Sequence, residues 1–368
     1  MKKLAYVLLF TAMTAISWGA YGPLLNKGTA AMQGSHWLPF LFVGVAYFLI
    51  GVLVSSALLA WRGEPGNWNT GGVVWSFLAG VVTAIGALCL ILSLANHGNP
   101  IYVMPLVFGG APVVNTLLTM WMSKTHQETG PLFYAGLIVV IAGAVTVLFF
   151  KPKVISSPTP TTTAQAPVST APAEGTTVAP APATPPVPPA AAPVNLLLVL
   201  TFVGLTAICW GFYGPLLHKG QTKMQGSRLR PFICVGAAYA VVAIAGPLIL
   251  WTAQGDKGQI SAPGVMWSLA GGTAGALGSL GVILAFTFGG KPIYVMPLVF
   301  GFAPVVSTFI SIATTNTEAI SPFFYAGLIV VVAGAVSVLI FAPRGQPHAV
   351  AAAAPTKAST PAPEPAKS

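Results

Sequence analysis

The sequence predicts an all-α membrane protein with ten transmembrane helices, arranged as two inverted repeats of five helices each. The first observation is composition, because 55% of the residues are hydrophobic and only 6% are charged. A soluble chain of 368 residues needs more polar surface than this composition supplies. The second observation is an internal repeat, and the third is a series of apolar runs that are long enough to cross a bilayer.

The repeat is clearest in Pro100–Val114, which returns as Pro292–Val306 with a single change, from Gly110 to Phe302. The two segments lie 192 residues apart, from position 100 to position 292. The same offset relates Trp18 to Trp210, Tyr21 to Tyr213, Met32 to Met224 and Trp75 to Trp267. The chain is therefore predicted to consist of two copies of one unit.

Each copy contains five apolar runs of about 19 to 25 residues, which as helices can cross about 30 Å of hydrocarbon. Residues that favour turns, such as Gly, Pro and Asn, separate the runs. In chain order the predicted spans are Leu4–Leu25, Trp37–Trp61, Gly72–Ala95, Pro100–Met122, Leu132–Phe150, Val194–Leu217, Pro231–Trp251, Val265–Phe288, Pro292–Thr314 and Phe323–Phe341.

The two copies define the domain organisation. Residues 1–153 form the first membrane unit and residues 194–343 the second. Between them, residues 154–193 are rich in Pro, Ala and Thr with Glu174 as the only charge, so we predict a disordered linker. A disordered tail is predicted at 344–368. Met1–Ala20 also resembles a secretory signal, but its counterpart in the second copy lies inside the chain, so we expect a retained helix.

An odd number of helices in each copy makes the second copy enter the membrane from the opposite side, so the repeats are inverted. Of the 16 Lys and Arg residues, twelve fall on one predicted side of the membrane. By the positive-inside rule this side is the cytoplasm. The chain is thus predicted to lie in the cytoplasmic (inner) membrane with both termini in the cytoplasm and the linker outside. The four positive residues on the other side are Lys27, Lys151, Lys153 and Lys257.

Polar side chains inside apolar spans are costly, so they are candidates for binding a solute. No carboxylate lies in any predicted span. Trp and Tyr rings can stack on a ring or a sugar face, while Asn and Ser can hydrogen-bond hydroxyl groups. Interfacial anchoring and contacts between helices remain the alternative explanation. The predicted substrate-binding residues are Trp18, Tyr21, Tyr102, Asn115, Trp210, Tyr213, Tyr294 and Ser307.

Prolines occur inside the fourth span of each copy and remove backbone hydrogen-bond donors within the membrane. Pro105 and Pro112 of the first copy match Pro297 and Pro304 of the second. We predict a helix break near the substrate at these positions, whereas the alternative is a kink packed against a neighbouring helix.

Lys27 and Lys219 occupy equivalent positions near the ends of the first helix of each copy. Inversion places Lys27 at the outer mouth and Lys219 at the inner mouth, so we predict one gating lysine on each side. The alternative is that both lysines only extend to the membrane interface.

These features resemble the drug/metabolite transporter superfamily of ten-helix, EamA-like carriers. The resemblance rests on Trp18-Gly19 with Lys27 and on Trp210-Gly211 with Lys219, and covers about residues 4–150 and 195–342. The Gly-Pro-Leu-Leu-x-Lys-Gly segments are more similar to the glucose/ribose-porter branch than to the amino-acid exporters. The resemblance implies a central cavity lined by the first, third and fourth helices of each half. It also implies peripheral fifth helices at a dimer contact, here the fifth and tenth.

We therefore expect a secondary transporter that moves a small polar organic solute by rocking its two halves around a midplane site. A non-transporting membrane scaffold or receptor-like protein and a pore are the alternatives. We expect neither an enzyme nor a nucleic-acid-binding protein, since no catalytic triad or phosphate-binding loop occurs and the basic residues lie between apolar runs. Cofactors and metals are not expected either, because Cys89, Cys209 and Cys234 each lie inside an apolar run.

Overall fold

The computed structural model describes residues 2–33, 35–123, 130–152, 195–249, 258–288, 292–315 and 317–341. All of the long elements in these ranges are helices. The predicted linker at 154–193 and the predicted tail at 344–368 lie outside the described residues.

The described ranges form ten helical segments, numbered here in chain order. They are α1 (Lys2–Ala31), α2 (Trp37–Arg62), α3 (Thr70–Ala95), α4 (Pro100–Ser123), α5 (Pro131–Phe149), α6 (Leu196–Lys223), α7 (Leu229–Ile249), α8 (Ala262–Thr287), α9 (Pro292–Thr314) and α10 (Pro322–Ile340). Both α1 and α6 run about two turns beyond the predicted ends at Leu25 and Leu217. The extension is packed rather than free, because Gly28 lies against Ser268 and Gly220 against Ser76.

Eight of the described helices, α1 to α8, are long and apolar enough to cross a membrane. The last two contain shorter apolar segments, Leu298–Thr314 and Pro322–Val338. Large apolar side chains such as Ile138, Phe149 and Ile329 are exposed on the outer surface, where lipid can solvate them. Over its described ranges the chain is thus helical throughout its long elements, as expected for a multi-pass membrane protein.

Side-chain caps show why several helices begin where they do. The Asn69 side chain accepts a hydrogen bond from the Gly72 amide (3.1 Å) at the start of α3. Ser261, its counterpart in the second copy, accepts one from the Gly264 amide (3.1 Å) at the start of α8. Such caps satisfy amides that the first turn of a helix leaves without a partner.

The two sequence copies do not fold as separate bundles, which differs from the expected rocking of two halves. Helix α1 packs mainly against α8 and α9, and α2 packs against α8. Conversely, α6 packs mainly against α3 and α4, and α7 packs against α3. Each group therefore combines the first two helices of one copy with the third and fourth of the other. A rocking motion of the expected kind would therefore involve these mixed groups and not the two sequence copies.

Glycines allow the closest helix contacts inside the mixed groups. A Cβ atom added at Gly19 of α1 would lie 2.6 Å from Cβ of Val306 in α9. A Cβ atom added at Gly211 of α6 would lie 2.5 Å from Cβ of Val114 in α4. Any larger side chain would force these helix pairs apart.

The fifth helices of the two copies, α5 and α10, pack against each other at the edge of the molecule. Cβ atoms added at Gly143 and Gly334 would each lie 2.5 Å from a backbone nitrogen of the other helix, that of Val331 and that of Val140. This contact within one chain uses the glycine faces of both helices. A homodimer through the fifth and tenth helices would therefore have to use their outer, apolar faces.

The predicted helix breaks at the repeated prolines are absent. Helix α4 is continuous across Pro105 and Pro112, and α9 is continuous across Pro297 and Pro304. Each proline removes a single backbone donor, and packing of α4 against α6 and α10 holds the rest of the helix in place. Both prolines of α4 are buried inside protein, where a kink is tolerated.

Candidate functional site

A cavity of about 700 Å³ lies between the two mixed groups of helices. Helices α1, α3, α4, α6, α8 and α9 contribute residues to its wall, and α2 and α7 add one tyrosine each. Its volume lies within the range of pockets that hold a small organic molecule.

The centre of the cavity is aromatic, and its aromatic residues come in pairs related by the 192-residue offset. Trp210 lies near Tyr21 and Phe108, with ring centroids 5.9 Å and 6.3 Å apart. Phe108 and Phe300, which face each other across the two copies, have centroids 6.4 Å apart. The four pairs that line the cavity are Trp18 and Trp210, Tyr21 and Tyr213, Tyr47 and Tyr239, and Phe108 and Phe300.

Both tryptophans are held against a helix of the other copy. Trp18 Nε1 donates to the carbonyl oxygen of Gly275 in α8 (3.1 Å), and Trp210 Nε1 donates to that of Thr83 in α3 (3.3 Å). These hydrogen bonds satisfy the indole N–H groups, which need a partner in an apolar site. They also fix the orientation of the indole rings, which form a preorganised apolar wall.

Tyr47 and Tyr239 stack face to face where α2 and α7 cross. Their ring centroids are 3.8 Å apart and their planes differ by 3°. Directly after this point each helix contains a π-helical segment, Phe48–Val54 in α2 and Val241–Ala245 in α7. Single π-helical turns of this kind occur frequently at functional sites and change the direction of the following side chains.

The tyrosine hydroxyls of the cavity differ in their partners. Those of Tyr47 and Tyr213 lie near the Ser279 side chain, whose Oγ donates to the Gly275 carbonyl oxygen (3.2 Å). The Tyr21 hydroxyl is buried and has no hydrogen-bond partner among the described residues, although Tyr21 lines the cavity. A buried hydroxyl without a partner is unfavourable by about 1–3 kcal/mol.

One end of the cavity is open. It is formed by the C-terminal parts of α4 and α6, where Thr119, His218 and Lys223 line the wall and are exposed. Asn115 and Lys219 line the same end and are half-buried. A solute can therefore reach the aromatic centre from this side.

The opposite end is closed, although the sequence there is closely related. Leu25 of α1 is 0% exposed, whereas its counterpart Leu217 is half-buried and lines the cavity. Ser311 of α9 is 2% exposed, whereas its counterpart Thr119 is exposed. The sequence is nearly symmetric, and the conformation is not.

Polar groups are trapped at the closed end. The hydroxyls of Ser307, Thr308 and Ser311 are buried and have no hydrogen-bond partner among the described residues. The counterparts of the two serines, Asn115 and Thr119, line the open end. If the closed end opened, water could hydrogen-bond to the three hydroxyls. This would remove an unfavourable free energy of about 1–3 kcal/mol for each of them.

The two predicted gating lysines make equivalent contacts. Lys27 Nζ lies 4.5 Å from the ring centroid of Trp267, and Lys219 Nζ lies 3.8 Å from that of Trp75. Each lysine therefore binds a tryptophan of the other copy through a cation–π contact. The gating role of these lysines stays a prediction.

Five of the eight predicted binding residues line the cavity, namely Trp18, Tyr21, Asn115, Trp210 and Tyr213. Tyr102 does not line it but is buried, with Lys151 Nζ 5.2 Å from its ring centroid. Ser307 lies at the closed end, and the side chain of Tyr294 is outside the described residues.

Several residues of the cavity wall were not predicted from the sequence. Tyr47 and Tyr239 are matched by the same offset as the tryptophans, and Phe108 and Phe300 lie inside the segment that is repeated most closely. The repeat is therefore the signal that could have identified them. Thr83 and Ser279 carry no such signal, because their counterparts are Gly275 and Ala87.

A scan against protein-family models finds no family that matches this chain, and a search of the curated proteins finds no match.

Within the described ranges no group of three or more His, Cys, Asp or Glu side chains is arranged to hold a metal ion. What the site offers is an aromatic binding cavity between two packed groups of helices.

Proposed function

We propose that the protein is a secondary transporter that carries a small polar organic solute across the cytoplasmic membrane by alternating access. In this proposal it has ten transmembrane helices in two inverted repeats of five, with both termini in the cytoplasm, and belongs to the drug/metabolite transporter superfamily. The observation that carries the proposal is a cavity lined by paired residues from both copies, open at one end and closed at the other.

Repeated local geometry supports two copies of one unit. Gln33 and Gln225, in the two Met-Gln-Gly-Ser segments, both adopt the left-handed backbone conformation, with φ of 55° and 56°. This conformation is uncommon for a residue other than glycine, so its occurrence at matched positions favours a common structure.

The asymmetry of the two ends supports alternating access over a pore. A pore connects both sides at once, whereas here Leu25 and Ser311 are buried at one end while Leu217 and Thr119 are accessible at the other. In an inverted repeat the second state arises when the two copies exchange conformations. The predicted topology makes the open end cytoplasmic.

The trapped serine and threonine hydroxyls support alternating access over a non-transporting scaffold. Burying three of them without partners is unfavourable in a protein with a single conformation, which favours a second state in which they are hydrated. If α9 lines a hydrated cavity in a second state, these groups gain partners there.

Paired cysteine variants test the proposal. Thr119→Cys and Ser311→Cys are made separately in a background without Cys89, Cys209 and Cys234. Without solute, a membrane-impermeant thiol reagent should modify Thr119→Cys from one side only. A transported solute should raise the reactivity of Ser311→Cys from the opposite side, because it increases the population of the second state.

Flux measurements complete this test. Protein in liposomes should move at least one solute from a panel with saturable kinetics, and Trp210→Ala should reduce that flux. Unsaturated conductance would indicate a pore. Reactivity of Ser311→Cys that no solute changes, together with no flux of any solute, would refute the proposal.

A further inference from the structure

The described charged residues on the cavity wall are all positive, and this bears on the class of solute. Lys219 and Lys223 line the open end together with His218. The structure describes two of the six acidic side chains, Glu64 and Glu318, and neither lines the cavity. The loop after α4 carries one Lys and one Glu and so adds no formal net charge.

Glu64 is occupied elsewhere. Its carboxylate accepts hydrogen bonds from Ser227 Oγ (2.8 Å) and from the backbone amides of Arg228 (2.9 Å) and Leu229 (3.0 Å) at the start of α7. A carboxylate held by these donors at a helix N-terminus compensates the positive end of that helix dipole. Among the described residues, no acidic side chain then faces the lysines of the cavity.

Helix ends reduce the positive charge without cancelling it. Both α4 and α6 end at the open mouth, and each C-terminus contributes about half a negative charge, or about one in total. The two lysines contribute two full positive charges. The remaining positive charge lies between walls of low dielectric constant, which strengthens its effect on a charged solute.

The interior of the cavity offers a different chemistry. Aromatic rings surround its centre, and none of the described charged side chains lines that part of the wall. Along α6, Trp210 and Lys219 are nine residues apart, which corresponds to about 13 Å of helix axis. A ligand that contacts both regions therefore carries its charge at one end and a planar or apolar body at the other.

We propose that the cavity selects small organic anions, with the anionic group at Lys219 and Lys223 and the body between the aromatic pairs. This inference rests on the proposed function and adds the class of solute to it. Solutes of the same shape with a positive charge are excluded by the same lysines.

Charged thiol reagents test this inference without knowledge of the solute. In the background without native cysteines, Thr119→Cys reacts with anionic sulfonatoethyl methanethiosulfonate or with cationic trimethylammonioethyl methanethiosulfonate. After correction for the rates with a free thiol, the anionic reagent should react about tenfold faster, as expected for one or two nearby lysine charges. Equal rates, a preference for the cation, or no reaction with either reagent would overturn the inference.

The inverted repeat supplies a matched control. Lys219→Gln should reduce the preference for the anionic reagent several-fold. Lys27→Gln removes the equivalent lysine, which also contacts a tryptophan but does not line the cavity, and should leave the preference unchanged. If both variants reduce the preference equally, the effect is not local to the cavity and the inference is wrong.

Protection by three compounds with the same ring tests the body of the ligand. Millimolar phenylacetate should slow modification of Thr119→Cys, phenylethanol should do so less, and phenylethylamine should not. Protection by the amine, or by none of the three, would overturn the inference.

The same experiment in phosphatidylcholine vesicles with and without phosphatidylglycerol separates a soluble anion from a lipid headgroup. Protection that requires the anionic lipid would overturn the soluble-anion assignment. Flux of a cationic or neutral solute with no flux of anions would refute this inference and leave the transport proposal standing. Anion binding without any flux would refute the transport proposal and leave the inference about the bound anion standing.

Discussion

The contact between Trp210 and Gly86 gives a prediction with a magnitude. Gly86 of α3 lies directly under the indole ring that forms one wall of the cavity. A Cβ atom added there would lie 2.5 Å from Cδ1 and 2.7 Å from Nε1 of Trp210, whereas ordinary contacts are 3.4–4 Å. In Gly86→Ala the indole must therefore move by about 1 Å toward the cavity.

This displacement has two energetic consequences. Trp210 Nε1 already donates to the Thr83 carbonyl at 3.3 Å, so a further displacement of this size breaks the hydrogen bond. Loss of the bond costs about 1 kcal/mol and overpacking of the helix contact about 1–3 kcal/mol. We expect Gly86→Ala to lower the free energy of unfolding by about 2–4 kcal/mol and to reduce solute binding, because the ring moves into the cavity.

Thermal unfolding in detergent, followed by tryptophan fluorescence, measures the first effect, and solute flux in liposomes measures the second. Gly204→Ala is the matched control, since Gly204 lies in α6 and a Cβ atom there meets nothing within 4 Å. The control should be neutral or slightly stabilising. A midpoint for Gly86→Ala equal to that of the control would refute this account of the tryptophan.

Three further changes to the chain have predicted outcomes. Glu64→Gln weakens the cap at the start of α7, so the thermal midpoint should fall by an amount that corresponds to about 1–2 kcal/mol. The control Glu318→Gln, at an exposed carboxylate, should change the midpoint little. Equal midpoints for the two variants would contradict the cap. Tyr21→Phe removes a buried hydroxyl without a partner, so the thermal midpoint should be unchanged or slightly higher. A clear fall in the midpoint would show that the hydroxyl has a structural partner. A protease site inserted near Glu174 should be cut in cells with a permeabilised outer layer and an intact cytoplasmic membrane, and cutting only after lysis would exclude the predicted topology.

The sequence predicted the helices well because the bilayer sets a simple rule. Apolar runs of sufficient length became helices. The ends of helices were predicted less well, because hydrophobicity does not show where a helix stops outside the membrane. Asn26 and Lys27, for example, continue α1 beyond its apolar part. The proline prediction failed for a similar reason. A missing backbone donor is visible in the sequence, but the packing that keeps α4 continuous is not.

The residues of the cavity were predicted in part. Aromatic and polar side chains in apolar spans identified Trp18 and Trp210, because few other groups in a span can bind a polar solute. Tyr102 was predicted by the same reasoning and instead packs near Lys151. Which face of a helix meets the cavity depends on the interlacing of the two copies, and apolarity on all sides of a membrane helix leaves no periodic signal for it.

The open and closed ends could not be predicted at all, because Leu25 and Leu217 are the same residue in the same local sequence. Their difference in exposure results from the conformation of the protein and has no counterpart in the local sequence. A lysine–tryptophan contact, in contrast, occurs at both ends. Lys27 contacts Trp267 at the closed end just as Lys219 contacts Trp75 at the open end. An interaction that is present in both states shifts no equilibrium between them, however strong it is. If the protein alternates between two states as proposed, the choice of state depends on groups whose surroundings differ between the ends. The best candidates are the leucines and the Ser311 and Thr119 hydroxyls, which are packed at one end and accessible at the other.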